Sequence, residues 1–250
     1  MTSLRLVRAE LRKVSTTKMP WAFLAVIATI SGITAIAVIL GTDADGSKAF
    51  ISTAADQKSL MAFAYNGLII AGLFGAIAVA REYGHDTVVP TFLIEPRRHR
   101  AVLAQFAALM LSGAFLGFVG TALSMGTVAI ALTATDYSFM LSVGDTTQLL
   151  AASSFAAAIG ALLGAGIGTL VRNTGGAVAA LVLVLLIAPP LVVQLVSDAI
   201  SWVPGYLANV ASGVIGFDDV GMAAALIAMA AWAALPAMIG LFVARRRDVV

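Results

Sequence analysis

The chain has 250 residues, 60% of them hydrophobic and only 11% charged, with a mean hydropathy of +1.00. Soluble domains carry about a quarter charged residues, so this composition excludes a soluble globular protein and describes an integral membrane protein. A net charge of +2 gives no sign of a nucleic-acid partner, and the absence of cysteine excludes a disulfide frame or a thiolate metal site. Every segment between apolar runs is short, so residues 1–250 read as a single membrane domain.

Residues 1–18 have the pattern of an interfacial helix. Leu4, Val7, Leu11 and Val14 share one face and Arg5, Arg8 and Arg12 line another, which suits an anionic membrane surface. The first apolar run, Pro20 to Leu40, is long enough to span and too long for a signal-peptide core, so it is expected to stay uncleaved. Residues 41–59 are polar and turn-rich; Asp43-Ala44-Asp45-Gly46 reads as a turn, because nothing else of a calcium loop follows it. A second run covers Leu60 to Ala80. After a charged loop at 81–100, Ala101 to Thr133 contains no charge. Two spans need about forty residues, so this run is one long or tilted helix.

A short acidic loop, Asp136 to Gln148, leads into a fourth run from Leu149 to Val171, which ends at the tight turn Arg172-Asn173-Thr174-Gly175. The fifth run, Ala177 to Val196, has Pro189-Pro190 as an expected kink. Residues 199–217 are apolar but broken at Pro204-Gly205, and neither half is long enough to cross. They read as two short helices at, or dipping into, the outer face. The sixth run, Gly221 to Ala244, closes on Arg245-Arg246-Arg247. Six crossings with the N-terminus inside leave only Lys48 and Lys58 of the basic residues outside, which satisfies the positive-inside rule. A seventh crossing would carry Arg245 to Arg247 outside and is rejected.

Within the charged loop, Val88, Val89, Phe92 and Leu93 fall on one face of a two-turn helix, with Asp86 as N-cap and Pro96 as its stop. Taken alone, the loop fits equally a helix docked on a partner and one resting on lipid.

No Asp, Glu, Lys, Arg or His lies inside the six runs. That weakens a proton-coupled carrier, which keeps an ionisable group for its relay, and an intramembrane serine protease, which needs a histidine base. His85 and His99 both sit in the charged loop, and neither carries a metal or catalytic reading. No catalytic residue, metal site or Walker A sequence is read anywhere, so the chain is not expected to be an enzyme or to hydrolyse nucleotide itself. Glycines repeat every four residues at Gly160, Gly164 and Gly168 and again at Gly113 and Gly117. These seams allow close helix approach, with packing inside one subunit preferred over a dimer seam. Tyr65, Asn66 and Gln194 are uncharged polar residues inside runs, open to interhelical hydrogen bonding or to contact with a cargo.

This layout resembles the permease subunits of type 2 ABC exporters across essentially the whole chain. They have a basic amphipathic helix, six spans, a coupling helix between the second and third spans, and re-entrant extracellular helices before the sixth. The local motif is similar too, in Glu82, Tyr83, Thr87, Val88 to Ile94, Pro96, Arg97 and Arg98; it departs at Asp86, at Pro90 and at Gln105, where lysine is usual. The resemblance implies an all-α fold and a bacterial cytoplasmic membrane location with both termini cytoplasmic. It implies that Val88, Val89, Phe92 and Leu93 dock into a separate cytoplasmic ABC ATPase, with Glu82, Arg97 and Arg98 as the polar rim. ATP and Mg would be bound by that partner and no cofactor by this chain. A second permease subunit would complete the path, with Tyr65, Asn66 and Gln194 facing it. Charge-free walls favour an apolar or amphipathic cargo such as a drug, lipid or peptide. The alternative from another class is a membrane scaffold or immunity protein without a transport cycle.

Overall fold

The computed structural model describes residues 3–43, 46–84, 97–215 and 220–246. In chain order these form α1 (Ser3–Thr16), α2 (Met19–Leu40), α3 (Ala54–Met61), α4 (Ala64–Gly84), α5 (Arg98–Leu132), α6 (Val143–Val171), α7 (Thr174–Val182), α8 (Ala188–Leu195), α9 (Pro204–Ala211) and α10 (Met222–Arg246). A π-helical turn, Leu183–Ile187, joins α7 to α8, and 3-10 turns form at Ala49–Ile51 and Ser197–Trp202. No strand occurs among the described residues. Six helical stretches are long and apolar enough to cross a membrane: α2, α3 with α4, α5, α6, α7 with α8, and α10.

Two boundaries differ from the hydropathy reading, and both differences come from capping boxes. Thr53 accepts from the Asp56 amide while the Asp56 carboxylate accepts from the Thr53 amide at 3.1 Å, so the supposed turn-rich segment contains α3. The second long helix therefore begins at Ala64, after a break at residues 62 and 63. Ser142 and Asp145 make the same reciprocal pair, which starts α6 at Val143, inside what hydropathy assigns to the acidic loop. Each box satisfies amides that a helix start otherwise leaves unpaired.

The centre of the bundle is α6, packed against α4, α5 and α10. Its glycines make that position possible. A Cβ added at Gly160, Gly164 or Gly168 would fall within 3.0 Å of the carbonyl oxygen of Leu68, Gly72 or Ala76 on α4. Across the other side, Gly113 and Gly117 of α5 press against the carbonyls of Ala157 and Ser153. Both seams lie inside one chain, as preferred from the sequence. Backbone contact this close replaces the hydrophobic driving force that is missing between helices in lipid. A third close approach, Gly166 against the Pro236–Ala237 peptide, seats α10 at the turn that carries its internal proline.

The outer spans are thinly covered: α2 and α7–α8 each bury only 17% of their most apolar window within the chain, against 67% for α6. Those faces must meet lipid or another subunit. At Pro189-Pro190, where a kink is expected, the structure shows a π turn just before the prolines. Neither proline can donate to the carbonyl four residues back, and the wider turn accommodates the loss. Arg98–Leu132 is one unbroken helix of 35 residues, about 52 Å long against a hydrocarbon core of about 30 Å, so α5 extends past the core.

At one end of the bundle, residues 46–63, the segment 133–142 and α9 gather. The buried Gln57 donates to the carbonyls of Ile51 (3.1 Å) and Ser138 (2.9 Å) and accepts from the Met140 amide (3.0 Å). Lys58 pairs with Asp145 at 2.8 Å and donates to Gln148 at 2.9 Å. Lys48 donates to the Val38 carbonyl at 2.9 Å, placing a cation on the C-terminal end of α2. The apolar segment after α8 folds as two short helices broken before Pro204, as expected. Trp232 of α10 donates to the Trp202 carbonyl at 3.0 Å and ties the break down.

Candidate functional site

The opposite end of the bundle carries the foot of the charged loop, where α4 ends and α5 begins. Glu82 and Tyr83 are neighbours in sequence and point to different partners. The Glu82 carboxylate accepts from Gln105 Nε2 of α5 at 3.0 Å and pairs with Lys13 of α1 at 3.5 Å. Lys13 also pairs with Glu10 at 2.7 Å, and Glu10 is only 7% exposed. A charge that covered persists when it is paired, so Glu10, Lys13, Glu82 and Gln105 form one polar cluster uniting three helices.

Tyr83 is buried on the other side. The Arg172 guanidinium stands 4.9 Å from the centre of its ring, a cation–π contact. Arg172 holds the left-handed conformation (φ 58°) that ends α6, its amide bonded to the Gly168 carbonyl at 2.9 Å; Asn173 then caps α7 by accepting from the Gly176 amide. The tight turn at 172–175 is thus present, and it clamps the end of α4. Tyr83 Oη and Arg172 Nε have no hydrogen-bond partner among the described residues.

At the start of α5, Arg97 occupies the N-cap with no side-chain cap, the first turn holds no acid, and Arg98 and Arg100 follow. Cations at the positive end of a helix dipole are unfavourable by about 0.3–1 kcal/mol each. Arg97 is exposed and Arg98 half-buried. The other expected coupling residues, Thr87, Val88, Val89, Phe92, Leu93 and Pro96, lie outside the described residues.

The three polar residues of the spans fall at the far end, Tyr65 and Asn66 in the first turn of α4 and Gln194 in the last turn of α8. Tyr65 packs its ring against Gly205, at the start of α9; a Cβ there would stand 2.6 Å from the ring. Asn66 and Gln194 are exposed, on α4 and α8. Among the described residues no group of three or more His, Asp or Glu side chains comes together to hold a metal ion.

Sequence reasoning singled out Glu82 and Gln105 without joining them, and it missed Glu10 and Lys13 as their neighbours and Arg172 as the neighbour of Tyr83. It also placed the apolar face of α1 at Leu4, Val7, Leu11 and Val14. In the structure Val7, Leu11 and Val14 are half-buried, in keeping with that face, while Leu4 is 81% exposed and the covered side extends to Leu6 and Glu10. The Glu10–Lys13–Glu82 pairing accounts for that extension, because it brings Glu10 and Lys13 beside the end of α4.

No protein-family model matches the chain, and no curated protein matches it.

Proposed function

We propose that this chain is the membrane-spanning permease subunit of an ATP-driven exporter. It would form the path for an apolar or amphipathic cargo and couple that path to a separate cytoplasmic ATPase. The observation that carries the reading is the double anchoring of the end of α4, through Glu82 to α1 and α5 and through Tyr83 to the α6–α7 turn. A loop that transmits force needs a stiff foot. From this foot, displacement of residues 85–96 passes along α4 into α6 across the glycine seam, where backbones touch and side chains cannot absorb the motion.

In this reading the charged loop and both termini are cytoplasmic in a bacterial plasma membrane, and the segment 199–217 lies at the outer face. Val88, Val89, Phe92 and Leu93 dock on the ATPase, which holds ATP and Mg; Arg97 and Arg98 rim the contact. The thin covering of α2 and α7–α8 supports a second permease subunit against those faces, of the same or a related chain. Tyr65, Asn66 and Gln194 then stand toward the outer mouth of the shared path.

The test is recovery of an ATPase with the tagged permease from its native membrane. Phe92→Asp should abolish recovery at matched permease levels, because it places an unpaired charge in an apolar contact. Arg97→Ala should change it little. Unchanged recovery with Phe92→Asp would leave the loop lying on lipid and favour a scaffold or immunity role.

A further inference from the structure

Beneath α1 a groove of about 690 Å³ opens among α1, α2, α4 and α5, within the range of about 300–1,000 Å³ of small-molecule sites. Leu24, Phe74, Leu111, Phe115 and Leu116 line its depth, and Arg8 and Arg12 stand at its rim. Two observations identify what fits it. Arg8 and Arg12 are exposed, one helical turn apart on one face, and neither has an acidic partner among the described residues. Like charges at this spacing repel unless an anion lies between them, and the nearby Glu10 is engaged with Lys13. Below them, Leu111 and Phe115 leave 55% and 59% of their surface uncovered by the chain. A ligand that satisfies both parts has a negative head and a hydrocarbon tail.

We propose that this groove binds one anionic phospholipid from the surrounding leaflet, its phosphate between Arg8 and Arg12 and one acyl chain along Leu111, Phe115 and Leu24. A zwitterionic lipid would set its ammonium beside two guanidiniums, and a soluble phosphate would leave the apolar wall bare. The bound lipid holds α1 against α5. Lys13, which reaches Glu82, is the residue after Arg12, so occupancy of the groove also secures the clamp on the charged loop.

The test uses the full chain purified in uncharged detergent, without any ATPase, so its outcome is separate from that of the proposed function. Native mass spectrometry follows retention of phosphatidylglycerol and of phosphatidylcholine with the same acyl chains. The intact chain should retain phosphatidylglycerol preferentially. The double variant Arg8→Gln, Arg12→Gln should weaken that retention by about thirtyfold and leave phosphatidylcholine unaffected. Ser112→Phe, which fills the groove wall and leaves the arginines alone, should displace phosphatidylglycerol as well. Equal retention of the two lipids by the intact chain, or unchanged phosphatidylglycerol retention in the double variant, overturns the proposal. Should the double variant fail to fold, undiminished retention in Ser112→Phe overturns it. Displacement of the lipid by equimolar inorganic phosphate would show a headgroup site only and also overturns it.

Discussion

Gln105 of α5 donates to the Glu82 carboxylate of α4 at 3.0 Å, on a side chain that Lys13 of α1 also reaches. One carboxylate therefore joins three helices at the foot of the charged loop. In a permease, that junction should transmit motion inward from the ATPase contact, whose rim Glu82 is expected to join. Gln105→Ala and Glu82→Ala should lower thermal stability non-additively, with a coupling energy of about 0.5–3 kcal/mol in a double-mutant cycle. Gln105→Ala should keep ATPase recovery and reduce cargo-stimulated ATP hydrolysis. Strictly additive stabilities would show that the two side chains act independently.

The seam between α4 and α6 makes a second prediction. Gly164 lies against the Gly72 and Ala76 backbone, so any side chain there must push two spans apart. Gly164→Leu should destabilise the purified protein by about 1–3 kcal/mol or prevent its folding, as overpacked cores do. Gly126 is the control, because a Cβ there would meet nothing within 4 Å. Gly126→Leu should leave the melting temperature within about a degree or two of the parent. Equal effects from both would remove the seam from the account of packing.

Gln57 is fully buried and serves three backbone groups in two loops that are 81 residues or more apart in sequence. Gln57→Leu keeps the bulk and strands two carbonyls and an amide. A loss of about 1–3 kcal/mol follows from buried groups left unpaired. Thermal unfolding in detergent measures it, and a neutral result would mean that water replaces the amide.

Six crossings can be checked by labelling, since the chain has no native cysteine. Ser212 is fully buried and would stay silent from either side. Exposed positions serve instead. Thr42→Cys and Thr147→Cys should react with a membrane-impermeant thiol reagent from one side, and Thr16→Cys and Asn173→Cys only from the other. Labelling of Thr147→Cys together with Asn173→Cys from the same side would break the proposed crossing of α6.

Hydropathy and charge placement by themselves determined the membrane class, the number of spans, the single long third span and the break at Pro204. These depend on local composition and length, which a linear sequence states directly. The capping boxes Thr53–Asp56 and Ser142–Asp145 were equally legible as motifs, but averaging over an apolar window hides a polar helix start, and so both boundaries fell short. The glycine repeats announced close packing without saying against which helix. Only the tertiary structure decided that Gly160, Gly164 and Gly168 meet α4, that Gln57 bridges two loops, and that Lys13 of α1 reaches Glu82. In each case the partner is a backbone or a charge far away in sequence. Its contribution comes from desolvation and contact at short range, which exist only once the helices have packed.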